Sequence, residues 1–320
     1  MKKEYVADPS TLCGIERFSY TEGKAKDVAA IRMFNGKLDL TVLPDRAMDI
    51  FRLFYRGTPV SYVSKNGLVS PRLCETGAYG FLNSFDAGFL YTCGLDNIGA
   101  PVEKEGRVLP QHGSFSYLPA ENVHVTTEET EAGYFLTLQG TVRFTALFGQ
   151  SLTVLRKIQM RYLGSEITVT DHVTNHGFTE SGYMLMYHSN IGYPLLDEHA
   201  KLTVDSTEIT PVSPVHDVAR CTTFDPPTPG RAEEVFRHTL RQGKGVKATL
   251  ENPDLGLGLR LHFDTEDFPY LVEWKSMAGG DYVLGIEPVT IPMPERTLRM
   301  LQPGETAKHT VTWEFFDVTQ

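Results

Sequence analysis

Hydrophobic and polar residues alternate along most of this chain, with a period of two rather than 3.6. In the segment "KLDLTVLPD", Leu38, Leu40 and Val42 fall on one face and the residues between them on the other. Such alternation is typical of a strand with one buried face. Similar runs rich in Val, Ile, Thr, Tyr and Phe recur along the chain and end at Gly, Asn or Asp. The pattern predicts many antiparallel strands.

Turn residues separate these runs, and helical patterns are scarce. The pair "NG" at residues 35–36 predicts a two-residue hairpin, and "GGD" at 279–281 predicts another turn. The best helical candidates, residues 64–75 and 231–240, are short, and the second also fits a strand. So many strands without long helices predict an all-β fold, either a large antiparallel β-sandwich or a barrel, with few short helices.

The strand pattern continues on both sides of the Pro-rich stretch "TTFDPPTPGRAE" with a similar composition. This stretch therefore predicts a surface loop rather than a linker between domains. We expect residues 1–320 to form a single domain.

Composition narrows the classes of function. The chain has 320 residues, 41% of them hydrophobic and 22% charged, which is ordinary for a globular protein. A formal net charge of -10 disfavours binding to nucleic acid or to an anionic membrane. The N-terminus lacks the apolar core of a signal peptide, and no stretch approaches the ~20 apolar residues of a membrane span. We expect a cytoplasmic protein; the oligomeric state stays open.

Metal binding is not predicted from the spacing of the potential ligands. The four cysteines are scattered and form no CxxC pair, which argues against a zinc knuckle or a disulfide framework. His172 and His176 lie four residues apart in a strand-like run, so a rise of ~3.3 Å per residue separates them by ~13 Å. A site built from His112, His188 and Glu287 has no local motif in its support.

Two titratable residues interrupt apolar, strand-like runs. Glu287 lies within "VLGIEPVT", and a buried carboxylate needs partners. Desolvation would raise its pKa and nearby donors would lower it again, which suits a general base. His188 ends the run "YMLMYHSN". From these residues alone, His188 is either a core histidine satisfied by backbone groups or an imidazole delivered into a pocket.

Three further residues are candidates for contacts with a ligand. His112 precedes a glycine in "LPQHGSFS", and Asn97 lies in the glycine-interrupted run "FDAGFLYTCGLDNIG". Arg46, in "LPDRAMDIFRL", has a fork of donors that suits hydroxyl or carboxylate oxygens. Each residue also has a structural interpretation, as part of a turn, a tight loop or a charged hairpin.

Taken in order, these motifs resemble the galactose mutarotase (aldose 1-epimerase) superfamily. The matching segments are "QHGSF", "MYHSNIGYP", "GIEPVT" and the closing turn "LQPGET". The phrases "LPDRAMDI", "FLYTCGLDNIGAP" and "YHSNIGYPLLDE" more closely resemble an uncharacterised branch, whose members are named aldose 1-epimerases by similarity. The resemblance extends from about residue 30 to the end of the chain.

The resemblance implies a galactose mutarotase-like supersandwich with a monosaccharide on its concave face. It also implies interconversion of α- and β-anomers by acid and base catalysis, without cofactor or metal. Glu287 would be the base and His188 the acid, and His112 would hydrogen-bond the sugar near its ring oxygen. For His188 the resemblance favours the functional interpretation over the structural one.

The substrate is less well defined by the resemblance. Arg46, Asn97 and Asn190 are further candidates for sugar contacts. "FDPPTPGRAEE" occupies roughly the region of the family's substrate-binding aspartate, and Asp225 is the candidate there, beside Glu233 and Glu234. Arg46 and Arg72 could bind a phosphate, as basic residues do in the glucose-6-phosphate epimerase branch.

Two other functions fit the same scaffold, since a fold does not fix a function. One is a carbohydrate-binding protein without activity. The other is a different carbohydrate enzyme, such as a lyase or a keto-sugar isomerase, that uses the same acid and base.

Overall fold

The structure is a computed structural model that describes residues 3–104, 106–212, 217–293 and 295–319. Within these ranges the chain forms twenty-four strands. In chain order they are β1 (Gly14–Ser19), β2 (Ala29–Phe34), β3 (Leu38–Leu43), β4 (Asp49–Tyr55), β5 (Thr58–Pro59), β6 (Tyr62–Val63), β7 (Ala87–Gly88), β8 (Leu90–Leu95), β9 (Val102–Lys104), β10 (Arg107–Leu109), β11 (Ala120–Thr130), β12 (Gly133–Thr145), β13 (Ser151–Arg161), β14 (Glu166–Asn175), β15 (Ser181–Ile191), β16 (Lys201–Val204), β17 (Ser206–Val212), β18 (Glu234–Leu240), β19 (Val246–Asn252), β20 (Leu257–Phe263), β21 (Tyr270–Ala278), β22 (Asp281–Val289), β23 (Arg299–Leu301) and β24 (Thr306–Asp317).

The strands form two large antiparallel sheets. The first runs β1-β2-β3-β4-β8-β15-β22-β21-β18-β17, with β5 paired to β4 and β23 paired to β15. The second runs β11-β12-β13-β14-β24-β20-β19-β16. Two small pairs, β6 with β7 and β9 with β10, lie outside them. The predicted all-β sandwich is therefore confirmed, and the two sheets do not close into a barrel.

The main core lies between the two sheets and is built by the alternation seen in the sequence. Along β15, Leu185 and Tyr187 join this core, whereas Met184 and Met186 join a second apolar cluster on the outer face of the first sheet. Full burial of a side chain such as Leu185 contributes about 1.5–3 kcal/mol. The residues that follow Tyr187 therefore alternate between a filled core and the outer face.

A charged cluster crosses the core between the sheets. Arg156 of β13, which has no exposed surface, donates to both carboxylate oxygens of Asp171 at 2.9 and 2.7 Å. It also donates to Asp49 of β4 at 2.9 Å, and Tyr187 of β15 donates to Asp171 at 2.6 Å. The cluster thus links both sheets directly beneath the strand that carries His188.

Helices are few and short in the described residues. The single α-helix there, α1, is Phe81–Ser84, and none of the described helices is long and apolar enough to cross a membrane. The 3-10 helices are Lys3–Tyr5, Pro9–Thr11, Gly23–Ala25, Pro71–Leu73, Phe115–Tyr117 and Val218–Thr222.

Both candidate helices of the sequence are absent as helices. Residues 64–75 form an irregular segment with one 3-10 turn at Pro71–Leu73, because Pro71 and the small polar residues before it favour turns. Residues 234–240 form β18, as the alternative interpretation of that segment predicted.

The predicted hairpin after β2 is present, but its turn is shifted by one residue. Phe34 pairs with Asp39, so Gly36 and Lys37 occupy the centre of the turn. Asn35 instead caps it, accepting from the backbone N–H groups of Lys37 and Leu38. The "GGD" signal is confirmed, since Ala278 pairs with Asp281 across a two-residue turn.

Candidate active site

Five adjacent strands of the first sheet place one row of side chains on its outer face. His188 of β15 lies opposite Tyr91 of β8, and the register of β15 with β22 sets it opposite Glu287. Directly opposed residues in an antiparallel pair point to the same side of the sheet. In strand order, the row is Tyr91, His188, Glu287, Val272 and Arg237.

His188 and Glu287 form a buried acid–base pair at the centre of this row. Nε2 of His188 lies 3.0 Å from Oε1 of Glu287, and the two side chains are only 5% and 2% exposed. The contact is not aligned as a hydrogen bond. Nδ1 of His188 and Oε1 of Glu287 have no hydrogen-bond partner among the described residues. Two buried polar atoms of the pair thus lack a hydrogen bond, which is uncommon, since such atoms are normally paired.

Aromatic rings surround the pair. The ring centre of His188 lies 5.4 Å from that of Trp274, 5.6 Å from that of Phe85 and 5.6 Å from that of His112. Phe81 of α1 packs on His112 with ring centres 4.8 Å apart. A wall of this kind with few polar groups is typical of small-molecule sites.

Gly285 makes room for the pair. It lies two residues before Glu287 on β22 and therefore points to the same face. A Cβ atom at this position would overlap Oε1 of Glu287 and would lie 3.1 Å from Cε1 of His188 and 3.2 Å from Cε3 of Trp274. The glycine is thus required by the close approach of these three side chains.

His112 reaches the site from a loop and is held as a neutral ring. Its backbone adopts a left-handed conformation (φ 59°), and its Nδ1 accepts from the N–H of Gly99 at 3.4 Å. Desolvation, followed by the charges of His188 and Arg296, lowers the pKa of His112 to about 3. With Nδ1 accepting, the hydrogen-bond network assigns the ring proton to Nε2, which makes that atom a donor.

Asn97 is buried and supports the loop that leads to His112. Its Nδ2 donates to the carbonyls of Ala100 at 3.0 Å and Pro110 at 2.7 Å, and its Oδ1 accepts from Arg296 at 3.0 Å. The amide is thus occupied by the protein itself.

Arg46 lies behind the aromatic wall rather than in the row. It is buried, donates to the carbonyl of Val69 at 2.7 Å and approaches the carboxylate of Asp86 at 3.3 Å. Its guanidinium lies 5.7 Å from the ring centre of Tyr91. Burial raises the pKa of Asp86 to about 6, although the charge of Arg46 opposes this shift.

The remaining predicted contacts differ in how near they lie to the pair. Asn190 is buried two residues after His188 on β15 and therefore on the same face. It donates to the carbonyl of His188 at 3.0 Å and leaves its Oδ1 without a partner among the described residues. Asp225 does not join the row. Its carboxylate forms ion pairs with Arg220 at 2.8 Å and Arg231 at 2.6 Å.

Glu233, the alternative to Asp225, lies closer to the pair. Its Oε2 accepts from Nε1 of Trp274 at 2.7 Å, and Trp274 packs on His188. Of the acids considered from the sequence in this loop, Glu233 is therefore the one attached to the wall of the site.

Sequence reasoning missed Trp274, Phe85, Gly285 and Arg237. A signal existed for Gly285, because a glycine two residues from a buried strand carboxylate faces the same side. No local signal identifies the others. In the ranges that the structure describes, no group of three or more His, Cys, Asp or Glu side chains has an arrangement that would hold a metal ion.

Solved structures place this fold among galactose mutarotase-like proteins. A "putative aldose 1-epimerase" from Klebsiella pneumoniae is 25% identical, with a TM-score of 0.88 over 95% of this chain and 84% of that one. A galactose mutarotase-like protein from Clostridium acetobutylicum is 14% identical, with a TM-score of 0.67 over 96% of this chain and all of that one (100%). A galactose 1-epimerase from Lactobacillus acidophilus is 12% identical, with a TM-score of 0.65 over 96% and 99%. The last two show the fold alone.

A family model places the chain more closely. The model described as "Domain of unknown function (DUF4432)" matches residues 25–315, and the chain belongs to this family. No curated protein matches the sequence. The resemblance predicted from the sequence motifs is confirmed at the level of the fold family.

Proposed function

We propose that this protein is a sugar mutarotase, which interconverts the α- and β-anomers of a monosaccharide. The observation that carries the proposal is the opposed pair of Glu287 and His188, with partner-free polar atoms inside an aromatic wall. A carboxylate and an imidazole in contact can take and give protons in the same step. The order of the family motifs and the fold of the Klebsiella protein support the same reaction.

The reaction needs one base and one acid. Glu287 takes the proton of the anomeric hydroxyl while His188 gives a proton to the ring oxygen, and the bond between C1 and the ring oxygen breaks. The resulting aldehyde turns by rotation about the C1–C2 bond. The hydroxyl group formed from the former ring oxygen then attacks the other face of C1 and returns its proton to His188. The aldehyde oxygen becomes the new anomeric oxygen and takes its proton back from Glu287. Both residues end in their starting states.

His112 assists as a hydrogen-bond donor rather than as an acid. Because its pKa is about 3, the ring is neutral at physiological pH. Its Nε2–H can stabilise the developing charge on the ring oxygen, and such contacts are stronger in a site from which water is excluded. Since the catalytic pair is almost fully buried, neighbouring side chains must move for a sugar to reach it, and Phe85 and Trp274 are among those that pack on His188.

Anomer exchange measured by NMR tests the proposal directly. The panel includes aldoses and deoxy-, amino- and phosphosugars. We expect exchange faster than in buffer for at least one sugar, and a loss of about 10²–10⁴-fold in Glu287→Gln, the usual contribution of a general base. The matched control is Glu266→Gln, an exposed carboxylate outside the site, which should leave the rate unchanged.

Two results would count against the proposal. If folded protein accelerates exchange for no sugar of the panel, the enzyme is not a mutarotase of these substrates. If a sugar binds without exchange, and binds equally well to Glu287→Gln, the protein is a carbohydrate-binding protein on the same scaffold.

A further inference from the structure

A cavity of about 280 Å³ opens on the outer face of the first sheet, next to the catalytic pair. Val272 and Val289, which flank Glu287 on β21 and β22, form its near wall. Arg237, Tyr270 and Met293 also line the cavity. The cavity therefore continues the row of side chains beyond Glu287, toward the edge of the sheet.

This cavity sets the direction in which a bound sugar extends. On the other side of the pair, Tyr91 is buried and packs against Phe81 and Phe85 with ring centres 5.6 and 5.2 Å away. That side is closed by apolar rings. Along this row, a sugar with its anomeric carbon at His188 and Glu287 can therefore extend toward the cavity on the Arg237 side.

Arg237 lies at the far end of this space and is not neutralised by the protein. One guanidinium nitrogen donates to the backbone carbonyl of Met293, which fixes the head group. Its Nε is buried without a partner, and no ion pair among the described residues involves Arg237. Glu295 also lines the cavity but forms no ion pair with Arg237.

The spacing suits a single monosaccharide. Arg237 and Glu287 lie two strands apart in one row, so a strand spacing of about 4.8 Å separates their backbones by about 10 Å. Val272 lies between them in the row and lines the cavity together with Arg237. A backbone separation of this size is comparable to the length of a hexose with an exocyclic group. A fixed, unpaired guanidinium favours a carboxylate, sulfonate or phosphate, which its fork of donors can bind in pairs.

We infer that Arg237 forms a subsite for an anionic substituent at the end of the sugar remote from the anomeric carbon. This inference rests on the proposed function, because it takes the position of the anomeric carbon from it. The substrate class is then an acidic or phosphorylated aldose. The arginines considered from the sequence are less suitable, since Arg46 is paired with Asp86 and Arg72 lies exposed on a 3-10 turn.

The test measures binding and exchange separately. Isothermal titration compares glucose and galactose with their uronates and 6-phosphates, for wild type, Arg237→Gln and Arg237→Lys. We expect an acidic form to bind wild type at least about 10-fold more tightly than its neutral parent, from a charged hydrogen bond. Arg237→Gln should remove this preference, and Arg237→Lys should keep part of it. The control is Arg241→Gln, which changes the exposed arginine directly after β18 and should match wild type.

The outcomes separate this inference from the proposed function. Which acidic form is preferred identifies the anionic group. Equal affinity of wild type for neutral and acidic sugars, no binding of any acidic sugar, or an equal loss for all sugars in a folded Arg237→Gln would overturn the inference. Acidic sugars that bind through Arg237 but whose anomers do not exchange would instead support the subsite and refute the mutarotase.

Discussion

His112 shows how a single side chain is adjusted by its surroundings. Burial and the neighbouring charges of His188 and Arg296 lower its pKa to about 3, below the value near 6.5 of an unfolded chain. The unfolded state therefore binds an extra proton between these two values. The stability linked to His112 is fully present above pH 6.5 and is lost as the pH falls toward 3.

We predict that this linkage is visible in unfolding experiments. Between pH 8 and pH 5, wild type should lose about 1–2 kcal/mol more of its free energy of unfolding than His112→Asn. Asparagine suits the comparison because it does not titrate and tolerates the left-handed backbone of residue 112. Urea denaturation at pH 8, 6.5 and 5 gives the values. Identical pH dependence in the two proteins would show that His112 is not held neutral by the fold.

At the scale of elements, strand β22 carries both Glu287, the proposed base, and the glycine that makes room for its carboxylate. Glu287 and Gly285 share one face because they lie two residues apart. A slip of one residue in the register would turn Glu287 into the core and Gly285 away from His188. The pairing of β22 with both β15 and β21 prevents such a slip.

Gly285→Ala should therefore strongly reduce activity without unfolding the protein. The added methyl group overlaps Oε1 of Glu287 and must displace it from His188, so we expect exchange to fall by about 10²-fold or more, as for loss of the base. Gly279→Ala, at the turn before the same strand, meets nothing closer than 3.8 Å and serves as the matched control. Circular dichroism and anomer exchange are measured together, and an active Gly285→Ala would refute this account of the glycine.

At the scale of the whole molecule, the charged cluster in the core connects the second sheet to the sheet that carries the site. Arg156 comes from β13, and its two acidic partners come from β4 and β14. Because all three side chains are almost completely buried, removing one charge leaves the others without compensation.

We predict that Arg156→Met lowers the free energy of unfolding by about 3–5 kcal/mol, the usual cost of breaking a buried ion pair. Arg260→Met, which removes a partly exposed pair with Glu314 on the second sheet, should cost about 1 kcal/mol or less. Chemical denaturation at neutral pH compares the two variants. Equal effects would mean that the buried cluster contributes no more than a surface pair.

The sequence by itself determined the strands and singled out the two residues of the central pair. A period of two can be recognised locally, because it depends only on which face each residue presents to the core. Glu287 and His188 were also recognisable locally, because each is a titratable residue within an apolar, strand-like run. Their roles as base and acid remain predictions that the exchange experiment tests.

Only the tertiary structure decided which residues meet. The period of a strand fixes its faces but not its neighbours. The sequence therefore could not assign Arg237 to the row of Glu287 or Trp274 to the wall beside His188. The choice of Glu233 over Asp225 beside Trp274 depended on how one loop folds onto β21. The turn at Asn35 shifted because its amide binds carbonyls in the distant segment 161–164, a long-range interaction that no local pattern records.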